Sequence, residues 1–359
     1  MTGPAEVHEG EINPTSDNAG LLSVWTDGRS DPSSRNFEGR YAELLAEARL
    51  ADRLGFRGFW TSEQHGVDDG YMGSQLTVLA AVAARTERIR LLTSVVVLPL
   101  HNSRHLAEAI VTVDLLSHGR LDIGVGAGGY EREFRLFGVS MNARSRLMDE
   151  GLRWLRGALD AGFLPDGPDG SPVPLTPRPA QPRVPILLGG LSPSAIRRAA
   201  QLADGHISYD FAAPETALPR LWERSIEPEL QRFGRAPDEF RLVTALPLWA
   251  SEDPERDWHT FYRRAFCYQQ RQYQEWAGRR SEIGMIRDLE PTREHLLVDT
   301  PEGVAKRLNT LRETFPWSEL GFWYRLPGIG HEEALLHLER VATRVAPLLA
   351  THPHRDSHD

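Results

Sequence analysis

The chain alternates between two textures. Short apolar, β-branched runs read as buried parallel strands, and longer runs with apolar residues three or four apart read as amphipathic helices. The spacing predicts strands at 21–26, 56–62, 89–98, 120–126, 184–190, 206–211, 240–250 and 320–326. Helical patterns lie between them near 38–54, 73–86, 104–117, 143–161, 192–203, 214–233, 301–315 and 331–349. Regular strand–helix alternation implies a parallel sheet with helices outside. Eight pairs is the count that closes a (β/α)8 barrel, so the expected class is an α/β TIM barrel. Counting does not prove closure, and an open doubly wound sheet stays open as an alternative.

Two stretches break the rhythm. Residues 163–185 are proline-rich and read as a long loop after the fourth helix. Residues 251–299, after the seventh strand, are aromatic and Arg-rich, with Trp258, Phe261, Tyr262, Tyr268, Tyr273 and Trp276. In a barrel such an insertion rises from the C-terminal face, as a lid or as a helix packed on the barrel. Thr300-Pro301 and Ser192-Pro193 read as helix starts, a capping hydroxyl before a proline whose missing N–H costs nothing. The single barrel domain is expected over 20–350, with flexible tails at 1–19 and 351–359. His352, His354 and His358 in the second tail read as polar and mobile rather than as a metal site.

Composition narrows the function classes. The 359 residues carry 41 basic and 50 acidic side chains, a net charge of −9, which disfavours nucleic acid and anionic membranes as partners. The one cysteine, Cys267, excludes an internal disulfide and a cysteine-rich metal site. The first 20 residues are polar and lack the apolar stretch of a secretory signal, and no apolar run approaches the length of a membrane span. A cytoplasmic protein is the expectation.

Candidate chemistry gathers just past the strands, on the face that hosts active sites in barrels. The second strand runs into Glu63, Gln64 and His65, where His65 suits general acid–base work or a plain loop hydrogen bond. Gly124, Gly126 and Gly129 fit G-x-G-x-x-G, but on the fourth strand and without a clean helix start. The pattern therefore reads as close backbone approach to a ligand, or a tight turn, more than as a dinucleotide fold. Gly189, Gly190, Leu191 and Ser192 precede a helix and form a phosphate cradle or an ordinary capped loop. Ser94-Val95 and Ser208-Tyr209 end the third and sixth strands. Arg325 ends the eighth, facing an anion or a barrel carboxylate.

Taken in order, these segments resemble the bacterial-luciferase-like family of flavin-dependent monooxygenases. The most specific pieces are GFWTSEQH at 58–65, VVVLP at 95–99 and LLSHGRLDIGVG at 115–126. EREFRLFG at 131–138, Met141, Ser145-Arg146 and DTPE at 299–302 follow on, and the likeness spans about residues 20–350. The resemblance implies a TIM barrel that binds reduced FMN at its C-terminal face, delivered by a separate flavin reductase. It then uses O2 to oxidise a small organic substrate. Sister branches use a reduced deazaflavin (coenzyme F420) instead. By position, Ser94 and Val95 would bound the flavin ring across a cis peptide, with Gly126, Gly129 and Tyr130 lining the same pocket. Gly189, Gly190, Leu191, Ser192, Ser208 and Tyr209 would sit near the ring edge and phosphate. A homodimer is also implied, and cyclic pairs are the commonest oligomers.

Two departures from the pattern matter. The luciferase motif is Glu-His-His, whose first histidine is catalytic. Here that position is Gln64, which cannot exchange a proton at neutral pH, and His65 matches the second. The luciferase-type phosphate arginine is replaced by Ala127, which removes one charge-assisted contact worth on the order of 1.5–3 kcal/mol. A flavin monooxygenase with Glu63, Gln64 and His65 as its catalytic residues is the favoured reading: either His65 substitutes for the missing histidine, or general-base catalysis differs, or the substrate needs none. A deazaflavin-dependent oxidoreductase that moves hydride, and a non-catalytic partner subunit with a degenerate site, stand beside it. No metal is expected. The aromatic insertion suggests an apolar or aromatic substrate.

Overall fold

The computed structural model describes residues 17–164, 171–211, 213–277 and 291–350. Both expected tails lie outside the described residues for most or all of their length, as do 165–170 and 278–290.

The barrel closes. Its strands are β1 (Leu22–Thr26), β2 (Gly58–Thr61), β3 (Arg90–Val97), β4 (Leu121–Gly126), β5 (Ile186–Gly189), β6 (Gly205–Tyr209), β7 (Arg241–Leu246) and β8 (Glu319–Trp323). Every neighbouring pair is parallel, and β8 pairs with β1, which removes the open-sheet alternative. The outer helices are α1 (Phe37–Arg53), α2 (Gln75–Ala83), α3 (Ser103–Leu116), α4 (Arg144–Ala161), α5 (Pro193–Leu202), α6 (Pro214–Leu221, continuing to Arg232), α7 (Pro301–Thr314) and α8 (His331–Arg340). Both predicted caps form: Thr300 Oγ1 accepts from Gly303 N and Ser192 Oγ from Ala195 N. Among the described residues no helix is long and apolar enough to cross a membrane.

Several boundaries differ from expectation for local reasons. The predicted seventh strand at 240–250 is broken. Pro247 has no N–H for the ladder, so the barrel strand stops at Leu246 and Trp249–Ala250 turns away to pair with Val298–Asp299. The sixth helix contains Pro219 and a π-helical turn at Trp222–Ile226. The proline-rich loop contains a small antiparallel pair, Phe163–Leu164 with Val173–Pro174. A short helix, Glu131–Leu136, follows β4 where the sequence shows no clean helix start.

Side chains alternate in and out along each strand, so the barrel interior fills in layers. At the N-terminal end lies a polar layer. Glu319 accepts from Ser23 Oγ at 2.6 Å, Trp60 Nε1 at 2.9 Å and Arg241 at 3.0 Å, and Asp122 takes Arg90 and Arg241. Above it Trp25, Trp60, Leu92, Leu187, Ile207 and Val243 form a buried apolar cluster. Trp60 occupies space that only glycine leaves: a Cβ at Gly321 would lie 2.2 Å from its ring. The barrel interior is therefore filled below the C-terminal mouth.

Candidate active site

Just past β2, Glu63 sits buried between two histidines. Its Oε1 lies 2.9 Å from His65 Nε2 and 2.8 Å from His101 Nε2. Burial alone would raise the Glu63 carboxyl, but the hydrogen bonds from His101 and His65 outweigh it and bring it down to about 2. Burial lowers His65, and the Glu63 hydrogen bond and charge reverse that, leaving it above its ordinary value. The other Glu63 oxygen accepts from Gln75 Nε2 at 3.2 Å. The same amide reaches Val95 O at 3.0 Å, and Thr61 Oγ1 donates to Gln75 Oε1 at 3.1 Å.

A second carboxylate, Glu133 on the short helix, accepts from the backbone N of His65 at 2.9 Å and hydrogen-bonds the Gln64 side chain. It is 2 % exposed, and that burial pushes it up to about 7 despite these bonds. The ligand atoms of Glu63, His65 and His101 lie within 4.8 Å of one another. Their contacts are at hydrogen-bond length, and we read them as a hydrogen-bonded triad.

The edge of the mouth nearest β3 has a distinctive backbone. Ser94-Val95 is a cis peptide, as the resemblance implied, and β3 slips register against β4 between Thr93 and Val96. Val95 then packs onto two glycines. A Cβ at Gly126 would lie 2.6 Å from Val95 Cγ2, and one at Gly189 3.0 Å from Val95 Cγ1. Gly124 is constrained from the other side, since its Cβ would fall 2.0 Å from Thr93 O. Gly124 and Gly126 of the G-x-G-x-x-G pattern thus serve strand packing inside a closed barrel, and the dinucleotide reading falls with the closure.

Aromatic rings cover the rest. Trp25 stacks on Trp323 at 4.1 Å, Phe211 packs against both, and Tyr209 stacks on Phe211 at 5.6 Å. Trp323 Nε1 is buried with no partner among the described residues. The helix Arg263–Ala277 of the insertion lies across the mouth: Trp276 meets Tyr130 and Tyr71, and the Tyr273 hydroxyl is 2.9 Å from that of Tyr71. Arg29, its side chain fully buried, ties this helix down. It pairs with Asp27 at 2.7 Å and Asp69 at 3.3 Å, donates to Gln269 Oε1 at 2.5 Å, and lies 4.9 Å from the Tyr71 ring centroid.

The structure brings Glu63, Gln64, His65, Val95, Gly126 and Gly189 into one neighbourhood, with Ser94 in the strand. Tyr130 joins through the aromatic cover, and Gly129 is half-buried in the loop before it. Gly190, Leu191 and Ser192 stand at the start of α5, where Ser192 spends its hydroxyl on the cap. Ser208 is not in the group. Strand alternation turns it towards the helices, 2.7 Å from His206 Nδ1, while His206 Nε2 meets Gly190 O. Arg325 faces carboxylates of α1, Glu43 at 2.7 Å and Glu47 at 2.6 Å, and no anion site. Sequence reasoning missed His101, Gln75, Glu133, Arg29 and Trp323. Glu133 lay inside a quoted motif and Arg29 just past the first strand, while nothing local marked Gln75 or His101.

Comparison with known proteins places the chain in a family and matches its fold. The luciferase-like monooxygenase family matches residues 21–316. An uncharacterized Mycobacterium tuberculosis protein is 32% identical over 208 residues, 49% of this chain and 72% of that one. The 4-hydroxyprotoasukamycin monooxygenase of Streptomyces nodosus subsp. asukaensis is 28% identical over 222 residues, 59% of this chain and 60% of that one. The oxygenase component of a flavin-dependent trigonelline monooxygenase from Acinetobacter baylyi is 33% identical over 105 residues, 29% of each chain. Among solved structures, monooxygenase RslO1 from Streptomyces bottropensis superposes with a TM-score of 0.76 at 25% identity, covering 91% of this chain and 98% of that one. The oxygenating constituent of 3,6-diketocamphane monooxygenase from Pseudomonas putida, in complex with FMN, shares the fold at TM-score 0.71 and 17% identity, covering 92% and 98%. So does an F420-dependent secondary alcohol dehydrogenase, at 0.68 and 16%, covering 92% and 99%. The chain belongs to the luciferase-like monooxygenase family.

Proposed function

We propose that the chain is the oxygenase component of a two-component flavin monooxygenase. It takes up reduced FMN from a separate reductase at the barrel mouth and uses O2 to oxidise a small organic substrate. The observation that carries this reading is the mouth itself: Val95 after the cis peptide, held on Gly126 and Gly189, beside an acid–base cluster and under an aromatic cover. The unpartnered Trp323 Nε1 fits a polar ligand in an otherwise apolar space.

Val95 would bound the flavin ring, Gln75 fixing its carbonyl. The start of α5 after Gly190 offers N–H groups for the phosphate. Reduced flavin held there would supply the electrons that activate O2. His65 donates from Nε2 to Glu63, which leaves Nδ1 able to take a proton. Tyr71, Tyr130 and Trp276 keep water from the mouth.

A second reading, hydride transfer with a deazaflavin, is favoured by one feature: Ala127 stands where luciferases carry a phosphate arginine. Stopped-flow mixing of the FMN-loaded, reduced chain with O2 separates the two. A monooxygenase reoxidises bound flavin at a rate distinct from free flavin and saturable in protein. Reoxidation indistinguishable from free flavin at all protein concentrations refutes the proposal.

A further inference from the structure

His101 carries no motif and lies 38 residues from Glu63, yet the fold delivers both histidines to the same carboxylate oxygen. The three groups are unequally placed. The Glu63 side chain is 2% exposed, His65 13% and His101 28%. His101 also lines a separate cavity of about 190 Å³ between the β3–α3 connection and α4, together with Pro99, Arg104, Glu150 and Trp154. The triad therefore reaches this outer cavity through His101, and His65 does not line it.

We propose that His101 is a positioning residue for His65: by sharing Glu63 with it, His101 holds the carboxylate in place and sets how readily His65 takes up a proton. Glu63 offers one negative charge. A positive charge on either histidine is stabilised by it, and charging one opposes charging the other across the shared oxygen. Gln75 fixes the second Glu63 oxygen, so the carboxylate cannot turn to serve each histidine with a separate atom. The other groups facing this unit are Glu133 at the His65 backbone, Arg132 beside Gly66, and Arg104 and Glu150 around His101. Phe137 closes the His65 ring from the side, 4.6 Å between centroids. The arrangement explains how a chain with Gln64 in place of a histidine still owns a tuned proton acceptor. It rests on the reading of His65 as the acid–base group.

The test is an NMR titration of the histidine Cε1–H signals in the cofactor-free chain, with His65→Gln and His101→Gln assigning the two resonances. In the wild type the two signals show mutually dependent, two-step curves. Replacing His101 by Ala or Gln raises the His65 midpoint by about one pH unit, because no second positive charge then competes for Glu63. Glu63→Gln lowers it and uncouples the pair. Gln at 101 keeps a donor for Glu63, so it guards against a variant that only disturbs packing. A His65 midpoint unmoved by both His101 substitutions overturns the proposal. So does one-to-one zinc binding abolished by Glu63→Gln, which would make the cluster a cation site. Reduced-FMN binding is measured separately on the same variants, so loss of the flavin reading and loss of this coupling are distinguishable.

Discussion

Glu133→Gln should make the protein more stable in alkali than the wild type. Glu133 is buried beside the His65 backbone, and its carboxyl titrates near 7 in the fold against 4.5 for an ordinary glutamate. Between those values the folded chain holds a proton that the unfolded chain has released. Stability therefore falls as pH rises through that window. The cost is absent below 4.5 and fully present above 7. An interval of about 2.5 pH units at about 1.4 kcal/mol each amounts to about 3 kcal/mol. Glutamine keeps an oxygen for His65 N and never ionises, so it escapes the cost. An unfolding entropy of about 2 cal/mol/K per residue turns 3 kcal/mol into about 4 °C for a chain of this length. Scanning calorimetry at pH 5 and pH 8.5 reads it directly. The variant should gain about 4 °C on the wild type between the two conditions. An equal difference between the two proteins at both pH values would show that Glu133 ionises normally and that its burial is not felt.

Three further substitutions probe the packing of the mouth. Gly124→Ala places a Cβ 2.0 Å from Thr93 O, a backbone clash that cannot relax, and should abolish soluble expression; a folded barrel by circular dichroism would contradict the strand geometry. Arg29→Met strands Asp27 and Asp69 in the interior and releases Gln269, at a cost of about 3–5 kcal/mol. Limited proteolysis should then cut within Arg263–Ala277 faster than in the wild type, and unchanged cleavage would refute the anchoring role. Trp323→Phe removes the unpartnered N–H, trading a lost indole contact against a relieved buried donor. Its thermal midpoint should stay within about 2 °C of the wild type while reduced-flavin affinity falls roughly tenfold, the loss of one hydrogen bond. Equal affinity would place the ligand away from Trp323.

The barrel was readable because each strand is a compact apolar run and each helix an amphipathic one; eight such pairs match the count of a barrel, and the pairing of β8 with β1 closes it. What failed was local. Pro247 splits an apolar run that reads as one strand, and Pro219 sits inside a helix that the pattern treats as continuous. The site was legible where it follows a strand end, as for Glu63, His65, Val95 and Gly126. Gln75 and His101 belong to segments beyond their strands and reach Glu63 only through the closed barrel. No periodicity registers that convergence. Ser208 illustrates the opposite error: it lies next to Tyr209 in sequence, but strand alternation sends its hydroxyl outward to His206.

The barrel mouth as a reduced-flavin site is tested most directly by parallel anaerobic titrations of the purified chain with reduced FMN and with reduced deazaflavin. Saturable, one-to-one binding of reduced FMN that Gly126→Ala weakens, through displacement of Val95, is the predicted result. Selective binding of the deazaflavin would move the chemistry to hydride transfer, and binding of neither would contradict the site altogether.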